Sequence, residues 1–218
     1  FCLLSICMEE KIIEAVIISL YVSIVATIIS FVISLPLGMI LAVKKFYLKN
    51  VIISIINGLT AIPPVCAGLI CYLLVSRSGP FGWMEILYTP IAMMIAQFII
   101  ITPIMLSLMI RNIQEEYPLF EEELRSYGAK LIDIMKLLLM NRYKVFFTIS
   151  IIGFGRAISE YGAAVVVGGS IDHLTRNITA TIAQETSKGN IFLALQLGII
   201  LITISFVVSL LTQIKSKN

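Results

Sequence analysis

The chain has 218 residues, of which 59% are hydrophobic and only 13% charged, with a mean hydropathy of +1.00 and a formal net charge of +3. Soluble globular domains carry about 25% charged residues, so an ordinary soluble domain is excluded and a membrane protein is indicated. The basic residues sit at the edges of apolar runs without the basic–aromatic interleaving of a nucleic-acid reader, which excludes nucleic acid as a partner.

In chain order, residues 1–7 (FCLLSIC) come before a polar Glu9-Glu10-Lys11 and lack a basic n-region and a small-residue cleavage site. They read as a processed or mis-started leader within an N-terminal outer segment of 1–14, which decides between five spans and six. Five apolar runs follow at 15–43, 51–75, 88–110, 145–167 and 191–214. Each reaches the ~18 residues a spanning helix needs, is apolar on every face, and shows no alternation of barrel type. The expected fold is therefore an all-α membrane domain over 15–214, with a loop at 111–144, another at 168–190, and a short tail at 215–218.

Orientation follows from the bias of Lys and Arg toward the cytoplasm. With the N-terminus outside, the inner segments hold Lys44, Lys45 and Lys49, then Arg111, Arg125, Lys130, Lys136, Arg142 and Lys144, then Lys215 and Lys217. The outer segments hold only Lys11, Arg77, Arg176 and Lys188. N-out and C-in is the expected topology.

Pro36, the Pro63-Pro64 pair, Pro90 and Pro103 mark kinks or helix starts. Cys66 and Cys71, five residues apart on different faces, read as small apolar groups, and no metal-ligand spacing exists. In the fourth run Gly155, Ser159 and Gly162 recur at four and three, a stripe suited to close helix contact. The same run carries Arg156 and Glu160, neighbours on one helical face. Charges at that depth face a bundle interior or a wet path, so the pair is either a gate or pathway element or a structural tie between helices.

The next segment, GGSIDHLTRNITATIAQETSKGN, is hydroxyl-rich, and its ITATIAQET stretch is expected as a short helix dipping into the outer half of the membrane. His173, the only histidine, has no second ligand near it and reads as a solvated loop residue. No phosphate-binding loop occurs, and no nucleophile–base pair lies within the spans, so no catalytic residue is assigned.

The loop at 111–144 is the longest polar interruption: an acidic run, Gly128, then a basic amphipathic stretch. It reads as a helix–turn–helix knob that seats in a partner's groove, with Gly128 at a reversal where a β-carbon does not fit. A merely solvated loop is the plainer alternative. A channel, a carrier and the membrane half of a machine driven by another chain all remain, and the knob fits the last best.

The knob resembles the coupling motif of ABC importer permeases, Glu-Ala-Ala, three residues, Gly, nine residues, Ile-x-Leu-Pro. Aligned on Gly128, this chain has Glu122, Glu123 and Leu124, Gly128 followed by Ala129, and then Leu138, Leu139, Met140 and Asn141, without the alanines or the proline. IPPVCAGLICYLLVSRSGPFG, TPIAMMIAQ, GFGRAISEYGAAVVVGG and TRNITATIAQETSKGN all resemble permeases of tungstate-type ABC importers, with molybdate and sulfate permeases as relatives. The resemblance implies a multi-pass permease of the prokaryotic cell membrane, paired with a second copy. It also implies separate ATPase subunits that bind ATP and Mg, an extracytoplasmic oxyanion-binding protein, and no cofactor in this chain. Coupling is expected at Glu122, Glu123, Gly128 and Ala129. The pathway and outer gate are expected at Arg156, Ser159, Glu160, Gly162, Gly168, Gly169, Thr175, Arg176, Thr179 and Glu185. A stand-alone anion channel is the alternative from another class.

Overall fold

The computed structural model describes the backbone of residues 2–217 and the side chains of 11–119, 121, 124 and 126–210. Among the described residues the secondary structure is helical throughout, as the apolar runs require: α1 (Cys2–Val43), α2 (Lys49–Leu59), α3 (Pro64–Val75), a 3-10 turn (Gly82–Met84), α4 (Pro90–Ser126), α5 (Leu131–Asn141), α6 (Tyr143–Ile158), α7 (Gly162–Gly168), α8 (Ile178–Ser187) and α9 (Ile191–Lys217). Three helices are long and apolar enough to cross a membrane, at Lys11–Val43, Pro90–Leu119 and Ile191–Leu210. The bent pairs α2/α3 and α5/α6 raise the number to five if each is one span.

The run expected as one span over 51–75 is thus two helices meeting at 102°. Pro63 and Pro64 have no backbone N–H, so the i→i−4 ladder cannot pass through them. The chain tightens first, with Thr60, Ala61 and Ile62 donating to Asn57, Gly58 and Leu59, and Pro64 then opens α3 at the position where a missing donor costs nothing. The run at 145–167 is also divided, into α6 and α7, while α6 itself continues from α5 at a 69° bend. The third run goes further than its hydropathy suggested, because α4 carries on through the acidic stretch to Ser126.

α1 lies along α4 and forms the spine of the bundle. Its packed face is hydroxyl-bearing: Ser19, Ser23, Thr27, Ser30 and Ser34 are all buried. Thr102 of α4 donates to Ser30 Oγ at 3.0 Å, and Ser34 donates to the Thr102 carbonyl at 3.4 Å. Small side chains let the backbones approach, and each such interhelical bond contributes about 0.6 kcal/mol in a membrane protein.

The glycine stripe does not work as the spacing suggested. A β-carbon on Gly162 would lie 2.6 Å from Val65 Cγ2, but one on Gly155 would meet nothing within 4 Å, and Ser159 is exposed. The helix breaks between Ser159 and Gly162, so the three residues share no face. The close contacts fall elsewhere, at Gly153 against Met105 and at Gly68, whose β-carbon would sit 2.6 Å from Ala163 Cα. Since that neighbour is backbone, Gly68→Ala should force α3 from α7 and lower stability by about 1–3 kcal/mol. Gly58→Ala, with open space around it, should not. Thermal melting in detergent measures both.

Candidate functional site

The polar core gathers where α6 gives way to α7. Ser159 Oγ donates to the Arg156 carbonyl at 3.1 Å, the Glu160 N–H reaches back only three residues to Ala157, and the chain turns before Gly162 restarts the helix. This break places Glu160 in the interior, 3% exposed. The Arg156 guanidinium, 36% exposed, approaches it with Nη1 3.0 Å from Oε2. That contact is an ion pair by distance but not a hydrogen bond by direction, so Oε2 remains buried without a hydrogen-bond donor. Oε1 accepts a long bond from the Ala163 N–H at 3.4 Å.

The start of α8 closes over the same break. Asn177 caps that helix, its Oδ1 accepting from the Ala180 N–H at 2.8 Å, while its Nδ2 and the Thr179 hydroxyl both donate to the Glu160 carbonyl, at 3.4 and 3.2 Å. From the other side Gln97 of α4 donates to the Ala157 carbonyl at 3.0 Å and to Ser23 Oγ at 3.4 Å, leaving its own Oε1 buried and without a donor. Two oxygens without donors, on Glu160 and Gln97, therefore lie in the region where four helices converge. A buried polar atom left so costs about 1–3 kcal/mol in a finished core and is tolerated where a site must exchange partners.

Other expected residues lie apart from this knot. Thr175 donates to the Gly168 carbonyl at 2.5 Å and accepts from the Ile171 N–H at 2.9 Å, so its hydroxyl holds the turn after α7. Gly169 shapes that turn with φ +69°, against the ring of Tyr88. Arg176 pairs with Asp172 and, with Lys11, Glu14 and His173, rims a small cavity beside α1. Glu185 is buried at the far end of α8, accepting from Lys188 at 2.8 Å and Asn190 at 3.1 Å, and these bonds, the Lys188 one foremost, hold its carboxyl below the usual range. Arg156, Ser159, Glu160, Gly162 and Thr179 are thus brought together, while Gly168, Gly169, Thr175, Arg176 and Glu185 serve the turns on either side. Gln97 and Asn177 join the knot without having been singled out, although a lone glutamine in an apolar run was a legible signal.

His173 is not simply solvated. Its Nδ1 lies 2.8 Å from a Glu14 carboxylate oxygen, across 159 positions of sequence, and that hydrogen bond raises its pKa, helped by Asp172 and opposed by Arg176. A raised folded value means that the contact contributes fully below the ordinary imidazole range and is lost as pH rises through the folded value. Glu14→Gln should move the titration midpoint of this single histidine downward, as read by NMR of histidine-labelled protein in micelles.

In the polar loop α4 ends in a Schellman turn: the Ala129 N–H reaches the Leu124 carbonyl at 3.1 Å, with Gly128 at φ +78°. A β-carbon there would meet nothing within 4 Å, so the reason for glycine is the left-handed backbone and not crowding as expected. The Lys130 N–H donates to Asp133 at 3.1 Å to start α5, and Arg142 pairs with Glu116 to hold the α5/α6 corner against α4. Tyr127, Ile132 and Met140 project outward, whereas the side chains of Glu122 and Glu123 lie outside the described residues.

Long apolar helices, bent helix pairs and a polar knot at a broken helix define a multi-pass membrane protein of the transport class. Residues 34–217 match the family described as binding-protein-dependent transport system inner membrane component, and the chain belongs to that family. It is 35% identical over 175 residues to the tungstate uptake system permease protein TupB of Peptoclostridium acidaminophilum, covering 80% of this chain and 77% of that one. It is 34% identical to a probable anion ABC transporter permease protein of Haloferax volcanii, over 78% of this chain and 75% of the other. A further TupB, from Campylobacter jejuni, is 34% identical over 78% and 71% of the two chains.

Proposed function

We propose that this chain is the membrane-spanning permease subunit of an ATP-driven oxyanion importer, with tungstate as its cargo. The observation that carries the reading is the 35% identity, over four-fifths of the chain, to a permease named for tungstate uptake. A sulfate transport permease from Synechocystis is similar at 27%, so sulfate is the weaker reading. The chain works as a pair with a second copy in the cell membrane, N-terminus outside. ATPase subunits below bind ATP and Mg, and an extracytoplasmic binding protein delivers the anion from above. Closure of the ATPase pushes on the knob around Gly128 and Ala129, with Glu122 and Glu123 beside it, and the rigid corner held by Arg142 and Glu116 passes that push to α4 and α6.

The anion passes the break between α6 and α7. Arg156 is the cation there, balanced by Glu160, with the Ser159 and Thr179 hydroxyls near the break and Gly162 opening the next helix. So few donors suit brief contact, which a translocation path requires, and selection among tetrahedral oxyanions then rests with the external binding protein. The test is uptake of tungstate by cells expressing the three-part system, with molybdate and sulfate as competitors and with the ATPase omitted. Tungstate should be taken up best and only with the ATPase. Equal competition by sulfate rejects the cargo, and uptake without the ATPase replaces the importer by a channel.

A further inference from the structure

At the end of α1 the apolar run stops at Val43 and three lysines follow within six residues, Lys44, Lys45 and Lys49. The fold brings them beside α4, where they line a cavity of about 540 Å³ with Gln114 and Tyr117. Glu121 is the one carboxylate among the lining residues, so the cavity keeps an excess of positive charge. Its depth is set by the neighbours. Ala42 and Ile113 belong to one buried cluster, and α4 turns polar at Arg111, so the cavity opens where the apolar slab ends. Lys49 is half-buried and donates to the Ala42 carbonyl at 2.5 Å, closing the end of α1, while Lys44 and Lys45 stay exposed and available.

We infer that this cavity binds the phosphate of an anionic phospholipid headgroup. A phosphate is the group that clustered lysines at a membrane edge recognise. A free phosphate would satisfy the lysines equally, but the surface around them selects the lipid. Phe46, Tyr47 and Leu48, which lie between Lys45 and Lys49 in sequence, and Val51 and Ile55 just after them are apolar and exposed, Tyr47 fully so. An inorganic anion makes no use of that apolar surface, whereas a glycerol backbone and acyl chains lie against it, with the tyrosine at headgroup level. The site is remote from the knot at Glu160 and needs no role in the passage of the cargo.

Native mass spectrometry of the full chain released from micelles gives the test, with phosphatidylglycerol, phosphatidylcholine and inorganic phosphate as probes. Phosphatidylglycerol should be retained and phosphatidylcholine should not. Lys44→Gln with Lys45→Gln spares the Lys49 bond and should weaken retention about 25-fold, a factor of about five for each lysine. Lys215→Gln with Lys217→Gln removes the same charge at the other end of the chain and should change it little. Equal retention of both lipids, equal loss in the two double variants, or displacement of the lipid by equimolar inorganic phosphate would each overturn the assignment. A melting curve on each variant separates lost binding from lost folding.

Discussion

Arg156→Ala is expected to lower stability by about 3–5 kcal/mol, because it leaves the 3% exposed carboxylate of Glu160 without its cation. Glu160→Ala should cost less, since the guanidinium left behind is 36% exposed and can find water or a headgroup. The asymmetry is a consequence of the geometry: only one partner of the pair is buried. Replacing both by leucine leaves no orphan charge, so stability should largely return. If Arg156 is the cation proposed to meet the anion at the α6–α7 break, uptake should not return. Melting in detergent and tungstate uptake in vesicles separate the two effects, and full uptake by Arg156→Leu/Glu160→Leu would reduce the pair to a structural tie.

The parts of this molecule that could be read in the sequence are those governed by local chemistry. Apolar runs announce long helices because the membrane leaves the backbone no other partner, and α1, α4 and α9 follow those runs. Gly128 between an acidic and a basic stretch announced a turn between two helices, which is there, and ITATIAQET announced a short helix, which is α8. What escaped depends on neighbours distant in sequence. The extension of α4 to Ser126 was hidden because its glutamates and leucines are good helix formers but break a hydropathy window. The break at 159–161 carries no proline and is held from outside, by Asn177 and Thr179 on the Glu160 carbonyl. The hydroxyl face of α1 was visible at spacings of three and four, yet its meaning depended on knowing that α4 packs there.

Gly128 supplies the second large effect, and its two possible causes predict different variants. If crowding demanded glycine, any side chain would be rejected alike. Space is open around the position, however, and φ is +78°, a conformation that costs an L residue about 1–2 kcal/mol and a β-branched one more. Asparagine tolerates the left-handed region, and valine does not. Gly128→Asn should therefore keep the Schellman turn and most of the transport, while Gly128→Val should unwind it, release the Ala129 N–H from Leu124, and swing α5 away from its seat. The chain should still insert, since the spans are untouched. In the reconstituted complex Gly128→Val should then retain basal ATP hydrolysis but lose stimulation by the loaded binding protein. Equal loss in both variants would mean that a partner crowds the position. Normal stimulation in Gly128→Val would remove the turn at Gly128 from the coupling path, leaving the buried α5 face at Ile134 and Leu138, with the Arg142–Glu116 pair, to join the polar loop to the bundle.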